Sequence, residues 1–382
     1  MNKTRIIDRS VLEISSYIKS REFREFDGDR YRRILNGVGD RTHKKKEDIR
    51  EDITDLIELM KILGADLQEI NSITIELLKN LPRDIKYIFN LEKKEDFFYI
   101  QKYGFDTVVI NKNIVENSSV EYDLDKIKKK NIKIILEIYA NNLEKALLQI
   151  EELKGKIDLC DFKGIKIFGL SEEYPHEIGV NIKKFKNKLV CMGENIDIWI
   201  CPDNKSFSAT ALAVELYDEG VDYINLSFNG FKSESINNWA CFEEVVMALN
   251  IIYKKEIKST TNLFPQVKGL FEKLTDFIIE DNKPVIGSGI FKCESGIHVD
   301  GINKDSSTYE PFNPEIIGQK REFILGKHSG SKGLEIKLKE LGINFKKEEL
   351  SNLLDRIREK SILNSGVMDN QIIFNLVSEC EL

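Results

Sequence analysis

The residues best suited to acid–base chemistry fall in one glycine-rich stretch, from Gly287 to Gly330. Two of the four histidines of the chain, His298 and His328, lie there, and Tyr309 follows His298 by eleven residues. An imidazole can give or take a proton near neutral pH, and a phenol can orient it. Clustered glycines indicate loops of fixed shape. On composition alone, a surface loop that carries a hydrogen-bonded histidine is the alternative.

Three pieces of this stretch resemble the C-terminal subdomain of homocitrate synthases and, more broadly, of the isopropylmalate synthase family of acyl-CoA condensing enzymes. The pieces are ESGIHVDGI (Glu294–Ile302), TYEPFNPEIIG (Thr308–Gly318) and LGKHSG (Leu325–Gly330). The resemblance implies that this subdomain crosses to a neighbouring chain and covers its active site. It also implies that His298, the second His of the family's H-x-x-G-x-H, is a catalytic acid/base group with Tyr309 beside it. Cys293 replaces the first His of that motif.

The resemblance further implies a barrel that binds a divalent metal, which polarises a 2-oxo acid for attack by an acetyl-CoA enolate. The first metal ligand of the family lies in the strand-1 motif D-T-T-L-R-D-G-E-Q. We align this motif with the segment that starts at Asp8. Leu12 then stands at the catalytic Arg, and Glu13 stands at the metal-binding Asp.

The remaining ligands of the family are an H-x-H on strand 7 and an Asn after strand 8. We align the motif H-A-H-N-D-x-G with Ile200–Ser206, which places Ile200 and Pro202 at the two His positions. Neither side chain has a metal-binding atom. The Asn corresponds to Asn237, for which a helix N-cap is the alternative role. We therefore predict that these positions are vestigial and that this chain binds no metal.

A barrel without a metal site, beside a retained His298 and Tyr309, predicts a chain that acts in trans. The sequence resembles the omega kind of a two-chain homocitrate synthase, a form associated with nitrogenase and nitrogen fixation. This implies a catalytic partner chain that holds Mg²⁺, Mn²⁺ or Zn²⁺ and condenses acetyl-CoA with 2-oxoglutarate. The alternatives are a self-sufficient condensing enzyme with an altered metal site at Glu13, and a non-catalytic regulatory or scaffolding homologue. A homodimer is a further alternative to the hetero-oligomer.

The composition of the 382-residue chain excludes several classes of function. With 57 basic and 64 acidic residues, the net charge of -7 offers no footprint for nucleic acid or for an acidic membrane surface. No apolar run approaches the roughly 20 residues of a membrane span, and the first residues lack a signal-peptide core. The six cysteines form no C-x-x-C pair, which predicts a reducing, cytoplasmic location without disulfides or a zinc site.

Short apolar runs alternate with amphipathic segments, and this alternation predicts a (β/α)8 TIM barrel with a doubly wound open sheet as the alternative. The eight predicted strands are Arg5–Asp8, Asp66–Asn71, Ile85–Leu91, Thr107–Asn111, Ile132–Tyr139, Ile165–Gly169, Ile196–Cys201 and Tyr223–Ser227. The spacing of apolar residues predicts helices at Ile49–Leu63, Ser208–Glu219 and Trp239–Ile252.

The chain divides, by its pattern, into a barrel domain at residues 1–257 and a C-terminal α+β lid subdomain at residues 258–382. The charged segment Arg21–Asp48 is predicted to be an exposed insertion or mobile loop after the first strand. In the second domain, helices are predicted at Phe264–Glu280, Ser331–Leu341 and Lys347–Lys360, followed by a tail. The barrel is expected to be degenerate at its own active site.

Overall fold

Eight short strands, each apolar on both faces, close into one parallel barrel. Such strands are buried by the barrel interior on one side and by helices on the other, which is why they appear as continuous apolar runs. The structure is a computed structural model, which describes residues 4–32, 46–116, 127, 130–155, 161–192, 196–232, 238–254, 260–363, 368 and 370–379.

The barrel strands follow one another in chain order, and the last one pairs with the first. They are β1 Arg5–Asp8, β2 Leu67–Ile70, β3 Tyr87–Leu91, β4 Thr107–Asn111, β5 Lys133–Ala140, β6 Gly164–Gly169, β7 Asp197–Pro202 and β8 Tyr223–Leu226. Closure is made by β1 and β8, where Ile6 pairs with Ile224. The TIM-barrel prediction is confirmed, and each predicted strand lies within two residues of its observed bounds.

Helices follow the strands and bury their apolar stripes. In this first unit they span Ser10–Arg32, Lys46–Ile62, Ser72–Leu78, Phe97–Tyr103, Lys112–Val115, Leu143–Lys154, Pro175–Cys191, Ala209–Asp218, Phe242–Ile251 and Phe264–Thr275. Asparagines begin three of them: the side chains of Asn71, Asn111 and Asn142 accept hydrogen bonds from the backbone amides of Thr74, Asn113 and Lys145. Every described helix is too short or too polar to cross a membrane.

The barrel interior is filled in layers by alternate side chains of the strands. The lower layer is apolar and aromatic and consists of Ile7, Ile88, Val109, Ile135, Trp199 and Tyr223, with Leu67 packed against it. Two residues further along each strand, on the same face, the next layer is polar. It contains Arg9, Glu69, Asn90, Asn111, Glu137, Cys201 and Asn225. The carboxyl ends of the strands therefore carry the chemistry.

The chain forms two units, of which the second comprises Thr261–Pro265 and Ile279–Leu382. Its strands β9 Lys292–Cys293 and β10 Glu322–Phe323 form a small parallel pair. Its helices span Gly296–Lys304, Ser331–Glu340, Leu350–Leu363 and Asn370–Glu379. A separate apolar core that includes Leu334, Leu353 and Ile373 holds the last three helices together.

Three predictions about local structure are wrong. The segment Arg21–Asp48 is not one loop, since residues 21–32 continue the first helix and residues 46–48 begin the second; residues 33–45 lie outside the described residues. The predicted helix from Phe264 ends at Thr275, because Asp276 adopts a positive φ of 58°. The expected C-terminal tail contains a further helix, Asn370–Glu379, whose Ile373 and Leu376 are buried.

Candidate functional site

A buried ion-pair network occupies the polar layer of the barrel. The Lys166 ammonium lies 2.6 Å from a Glu69 carboxylate oxygen and 2.9 Å from one of Glu137. Glu69 also accepts hydrogen bonds from the side-chain amides of Asn90 and Asn225. Burial alone would raise the pKa of Glu69, but the charges of Lys166 and Arg9 hold it below its ordinary value. The layer is therefore a set of fixed, mutually neutralised charges.

Arg9 forms the second half of this layer, next to the start of the first helix. Its Nε and Nη2 both donate to Oε1 of Glu13, at 3.0 and 2.8 Å, and its Nη1 lies 3.3 Å from Sγ of Cys201. The guanidinium also lies 4.6 Å from the ring centroid of Trp239, whose Nε1 donates to the same Glu13 oxygen at 3.1 Å. The positively charged guanidinium of Arg9 is thus in contact with the carboxylate of Glu13, which the sequence places at the metal-ligand position.

These contacts do not fit a divalent cation at Glu13. Arg9 lies between Glu13 and Cys201, two of the side chains that could approach such an ion, and Asp203 is a third. Burial raises the pKa of the Cys201 thiol, although Arg9 and Lys166 oppose that shift. A thiol has to lose its proton to bind a metal. The residues around Glu13 therefore favour the guanidinium of Arg9 over a divalent metal ion.

Strand β7 presents to the barrel interior the neighbours of the two residues that we aligned with the family's histidines. Trp199 belongs to the interior apolar layer and Cys201 contacts Arg9, so the interior face of this strand continues to Asp203. Ile200 and Pro202 alternate with these residues and face away from the interior. The two interior positions are thus Cys201 and Asp203 rather than Ile200 and Pro202. Asn237, the predicted remnant of the third ligand, lies outside the described residues.

The two other strand-1 positions take structural roles. Leu12, at the expected catalytic arginine, is buried and lines the barrel mouth. Asp8 accepts hydrogen bonds at Oδ1 from the amide and hydroxyl of Ser10, while its buried Oδ2 has no partner among the described residues. Burial raises the pKa of Asp8 to about 6, although Ser10 acts in the opposite direction.

A cavity of about 420 Å³ opens at the carboxyl ends of the strands. It is lined by residues that follow or end several barrel strands. They are Arg9, Leu12, Glu13, Ser16, Asn90, Leu91, Glu92, Asn111, Asn113, Ile114, Glu137, Phe168, Lys232 and Trp239. In a (β/α)8 barrel this is the place where ligands bind and reactions occur.

Cys241, Glu243 and Glu244 form a group of potential metal ligands at the start of the helix Phe242–Ile251. One oxygen of Glu243 accepts a hydrogen bond from the backbone amide of Asn229, at 2.9 Å, and one of Glu244 accepts from the Thr210 hydroxyl, also at 2.9 Å. Acidic residues in the first turn of a helix also stabilise its partial positive charge. These contacts give the three residues a structural role at the start of this helix.

In the second unit the structure brings the predicted pair together. The rings of His298 and Tyr309 lie 4.6 Å apart between centroids, tilted by 48°, and both residues are exposed. Gly301 makes this pairing possible, because a Cβ on it would lie only 2.5 Å from Cε2 of Tyr309. The glycine of the H-V-D-G sequence therefore serves the close approach of the tyrosine ring to the helix Gly296–Lys304.

The LGKHSG segment is fixed against the same region by Glu294. One Glu294 oxygen accepts a hydrogen bond from the His328 amide at 2.6 Å, and a Cβ on Gly326 would meet that oxygen at 2.7 Å. Arg358 donates from Nε and Nη2 to the carbonyl of Ser329, at 3.1 and 2.7 Å. His328 itself is exposed and makes no side-chain contact with His298 that is among the described hydrogen bonds. These contacts fix the backbone of the segment next to Glu294 and Arg358.

Sequence reasoning missed Arg9, Glu69, Glu137 and Lys166. A usable signal was present, because each of the last three is a lone charged residue inside an apolar strand: LQEI, KIILEIYA and GIKIFG. Opposite charges buried in neighbouring strands are expected to pair. Arg9 carried no such signal, since it follows the end of β1.

The fold and the site together define a (β/α)8-barrel protein with a C-terminal unit that carries an exposed His–Tyr pair. The family described as "Homocitrate synthase post-HMGL domain-like" matches residues 285–363. The chain is 35% identical over 327 residues to the homocitrate synthase omega subunit of Clostridium pasteurianum, which covers 85% of this chain and 88% of that protein. The chain therefore belongs to the homocitrate synthase omega-subunit family.

More distant relatives share a shorter region. The chain is 37% identical over 154 residues to the homocitrate synthase AksA of Methanothermobacter thermautotrophicus, which covers 40% of this chain and 39% of that enzyme. Among solved structures, the HMG-CoA lyase of Bacillus subtilis superposes with a TM-score of 0.52 at 12% identity, over 74% of this chain and 97% of the lyase. At that identity the likeness supports the barrel fold alone.

Proposed function

We propose that the chain is the omega-type subunit of a two-chain homocitrate synthase. In this assembly it lends His298 and Tyr309 to the active site of a catalytic partner, which condenses acetyl-CoA with 2-oxoglutarate. The observation that carries the proposal is a contrast. The His298–Tyr309 pair is exposed, and the tyrosine ring packs closely against Gly301. In contrast, Arg9 forms an ion pair with Glu13, the residue at the barrel's own metal position.

His298 is the proton-transfer group in this proposal. It takes a proton from the acetyl methyl group as the enolate forms, or delivers one to the alkoxide that develops when the enolate attacks the 2-oxo carbon. Tyr309 hydrogen-bonds to the substrate or orients the imidazole, which its ring already contacts. A divalent metal, when bound in the partner, polarises the carbonyl that is attacked.

Two findings support a partner chain. The Clostridium pasteurianum relative is named as the omega subunit of homocitrate synthase. In addition, the contacts of Arg9 with Glu13 and Cys201 leave the metal and the binding of the 2-oxo acid to another polypeptide. The expected partner is a family member that retains the H-x-H pair on strand 7.

The first experiment measures the release of free CoA by the purified chain, with and without this partner. Alone, the chain should not release CoA from acetyl-CoA with 2-oxoglutarate, 2-oxoisovalerate or pyruvate. Mixed with the partner, it should support turnover with one of these acceptors. Steady turnover by the chain alone, abolished by Glu13→Gln, would instead establish a self-sufficient enzyme with an altered metal site.

The second experiment replaces the lent residues in the complex. His298→Ala should lower kcat by roughly 10²–10⁴, the usual effect of losing a positioned acid/base group, while the complex still assembles. Tyr309→Phe should raise the activation free energy of turnover by about 0.5–1.5 kcal/mol, since only a hydrogen bond is lost. The matched controls are His176→Ala and Tyr174→Phe, an exposed His–Tyr pair on the barrel with ring centroids 5.8 Å apart. Full activity of the His298→Ala complex would favour a scaffolding role.

A further inference from the structure

The cavity at the carboxyl ends of the barrel strands has no role in the function proposed above. Its volume of about 420 Å³ is in the range of small-molecule sites. Its wall carries three carboxylates and two cations, namely Glu13, Glu92, Glu137, Arg9 and Lys232. Acidic groups therefore exceed basic groups at the wall by one charge.

Both cations of the wall are already engaged. Arg9 holds Glu13 through two hydrogen bonds. The Lys232 ammonium lies 4.6 Å from the ring centroid of Trp239, which is an attractive cation–π contact. A dianionic ligand would face Glu92 and Glu137, with Lys232 as the one cation of the wall that is not hydrogen-bonded to Glu13. The wall thus opposes a dicarboxylate such as 2-oxoglutarate.

A nearly buried amide in the same wall has an unmet hydrogen-bond acceptor. Asn90 is only 7% exposed, and its Nδ2 donates to Oε1 of Glu69 at 3.0 Å, which fixes the orientation of the amide. Its Oδ1 accepts no hydrogen bond within the described part of the chain, and the residue lines the cavity. Because Asn90 lines the cavity, a donor group of a ligand there could reach this oxygen.

Two carboxylates of the same wall can each accept further hydrogen bonds. One oxygen of Glu92 accepts a hydrogen bond from Asn71, and one oxygen of Glu137 binds Lys166; no described residue pairs with the other oxygens. Glu92 follows strand β3 on the face of Asn90, and on the neighbouring strands Asn111 pairs in register with Glu137. Adjacent strands are about 4.8 Å apart and β4 lies between β3 and β5, so Glu137 lies roughly 10 Å along the sheet from Asn90, on the same side of the cavity.

We propose that the barrel cavity is a binding site for a small organic cation with a primary ammonium group, received by Asn90, Glu92 and Glu137. An ammonium carries three N–H donors and one positive charge, which matches one neutral acceptor and two carboxylates. Such a ligand also neutralises the excess negative charge of the wall. The pKa of Glu92 is consistent with this need, because lost hydration raises it and the charges of Asp96 and Glu13 add to the shift.

The test measures binding of n-butylamine, 5-aminopentanoate and glutarate to the full chain by calorimetry at pH 7.5 and low ionic strength. At least one of the two amines should bind, and glutarate should not. Glu92→Gln should weaken amine binding on the order of ten-fold or more, from the loss of a hydrogen bond to a charged acceptor. Asn113→Asp, which adds a carboxylate at the exposed cavity mouth, should strengthen it.

The matched control is Glu95→Gln, which removes an exposed carboxylate three residues away that does not line the cavity. It should leave amine binding unchanged. Three results would overturn the proposal: no binding of either amine at millimolar concentration, equal binding to the Glu92→Gln protein, or binding of glutarate as tight as that of the amines. Because the isolated chain is used, none of these results depends on the partner chain or on catalysis.

Discussion

Replacing Lys166 by Met should destabilise the barrel severely. Lys166 and Glu69 are both fully buried, and the ammonium lies within 2.9 Å of two carboxylates. Removing one partner of a buried ion pair typically costs about 3–5 kcal/mol, because a buried charge is left without compensation. Here two carboxylates lose their shared cation, so the free energy of unfolding should fall by roughly the upper end of that range.

The assay is urea unfolding followed by tryptophan fluorescence. Both tryptophans of the chain, Trp199 and Trp239, belong to the barrel unit, so the signal reports that unit and not the C-terminal helices. The control is Lys145→Met, which breaks a 2.7 Å ion pair with Glu172 that is about half exposed on both sides. An exposed pair contributes about 0–1 kcal/mol, so this change should be nearly silent.

A second replacement and a change of pH identify the cause. Glu69→Gln in the Lys166→Met background should restore part of the lost stability, since it removes one stranded charge. Lys166 holds the pKa of Glu69 low against the effect of burial, so the parent protein loses this contribution as pH falls through that pKa. The Lys166→Met protein should show the opposite trend and gain stability in acid. A Lys166→Met protein within about 1 kcal/mol of the parent would refute the reasoning.

Three further predictions concern the barrel. Burial raises the pKa of Asp8 from 3.8 to about 6. The parent protein should therefore lose up to about 3 kcal/mol of stability as the pH rises through this window. Urea titrations at pH 4.5 and 7.5 should show that Asp8→Asn removes this dependence. Phe207 is 90% exposed and has a φ of 57°, so Phe207→Gly should raise the free energy of unfolding by roughly 1 kcal/mol, whereas Phe207→Ala should not. Calorimetry with Mn²⁺ or Zn²⁺ should detect no micromolar binding by the isolated chain; such binding, if lost in Glu13→Ala, would contradict the contacts of Arg9.

The barrel was predictable because the alternation of strand and helix does not depend on the residues of the active site. The face of each strand was not predictable. In β7, the residues Asp197–Pro202 read as one apolar run, and both faces of a barrel strand are buried. Nothing in such a run shows which residues point inward. We aligned the H-x-H with Ile200 and Pro202, whereas the strand presents Cys201 and Asp203 on its interior face.

Backbone conformation supplies the missing register. Phe207 adopts a left-handed φ, a conformation that favours glycine. Placing the final Gly of the family's H-A-H-N-D-x-G at Phe207 puts its two histidines at Cys201 and Asp203. These are the residues on the interior face of the strand. The sequence could not give this, because a phenylalanine carries no sign of a positive φ.

The His298–Tyr309 pair was predictable for the opposite reason, since it is built from local sequence. The ten residues between them form the rest of one helix and one turn, and Gly301 within that helix admits the tyrosine ring. No distant strand has to be placed for the two rings to meet. What the sequence did not show is the support by Glu294, which reaches the His328 amide from 34 residues away.

The network in the barrel explains how a chain can lose a metal site without losing its fold. Carboxylates such as Glu13, Glu69 and Glu137 cannot remain buried and charged unless cations accompany them. Arg9 and Lys166 provide that compensation from within the chain, so the barrel needs no ion for its stability. The same ion pair opposes metal binding, because the guanidinium of Arg9 is hydrogen-bonded to the Glu13 carboxylate that would have to bind the metal. Restoring histidines at Cys201 and Asp203 would place them against that positive charge. Under the proposed function, the charge balance of the barrel opposes metal binding in addition to the two missing histidines.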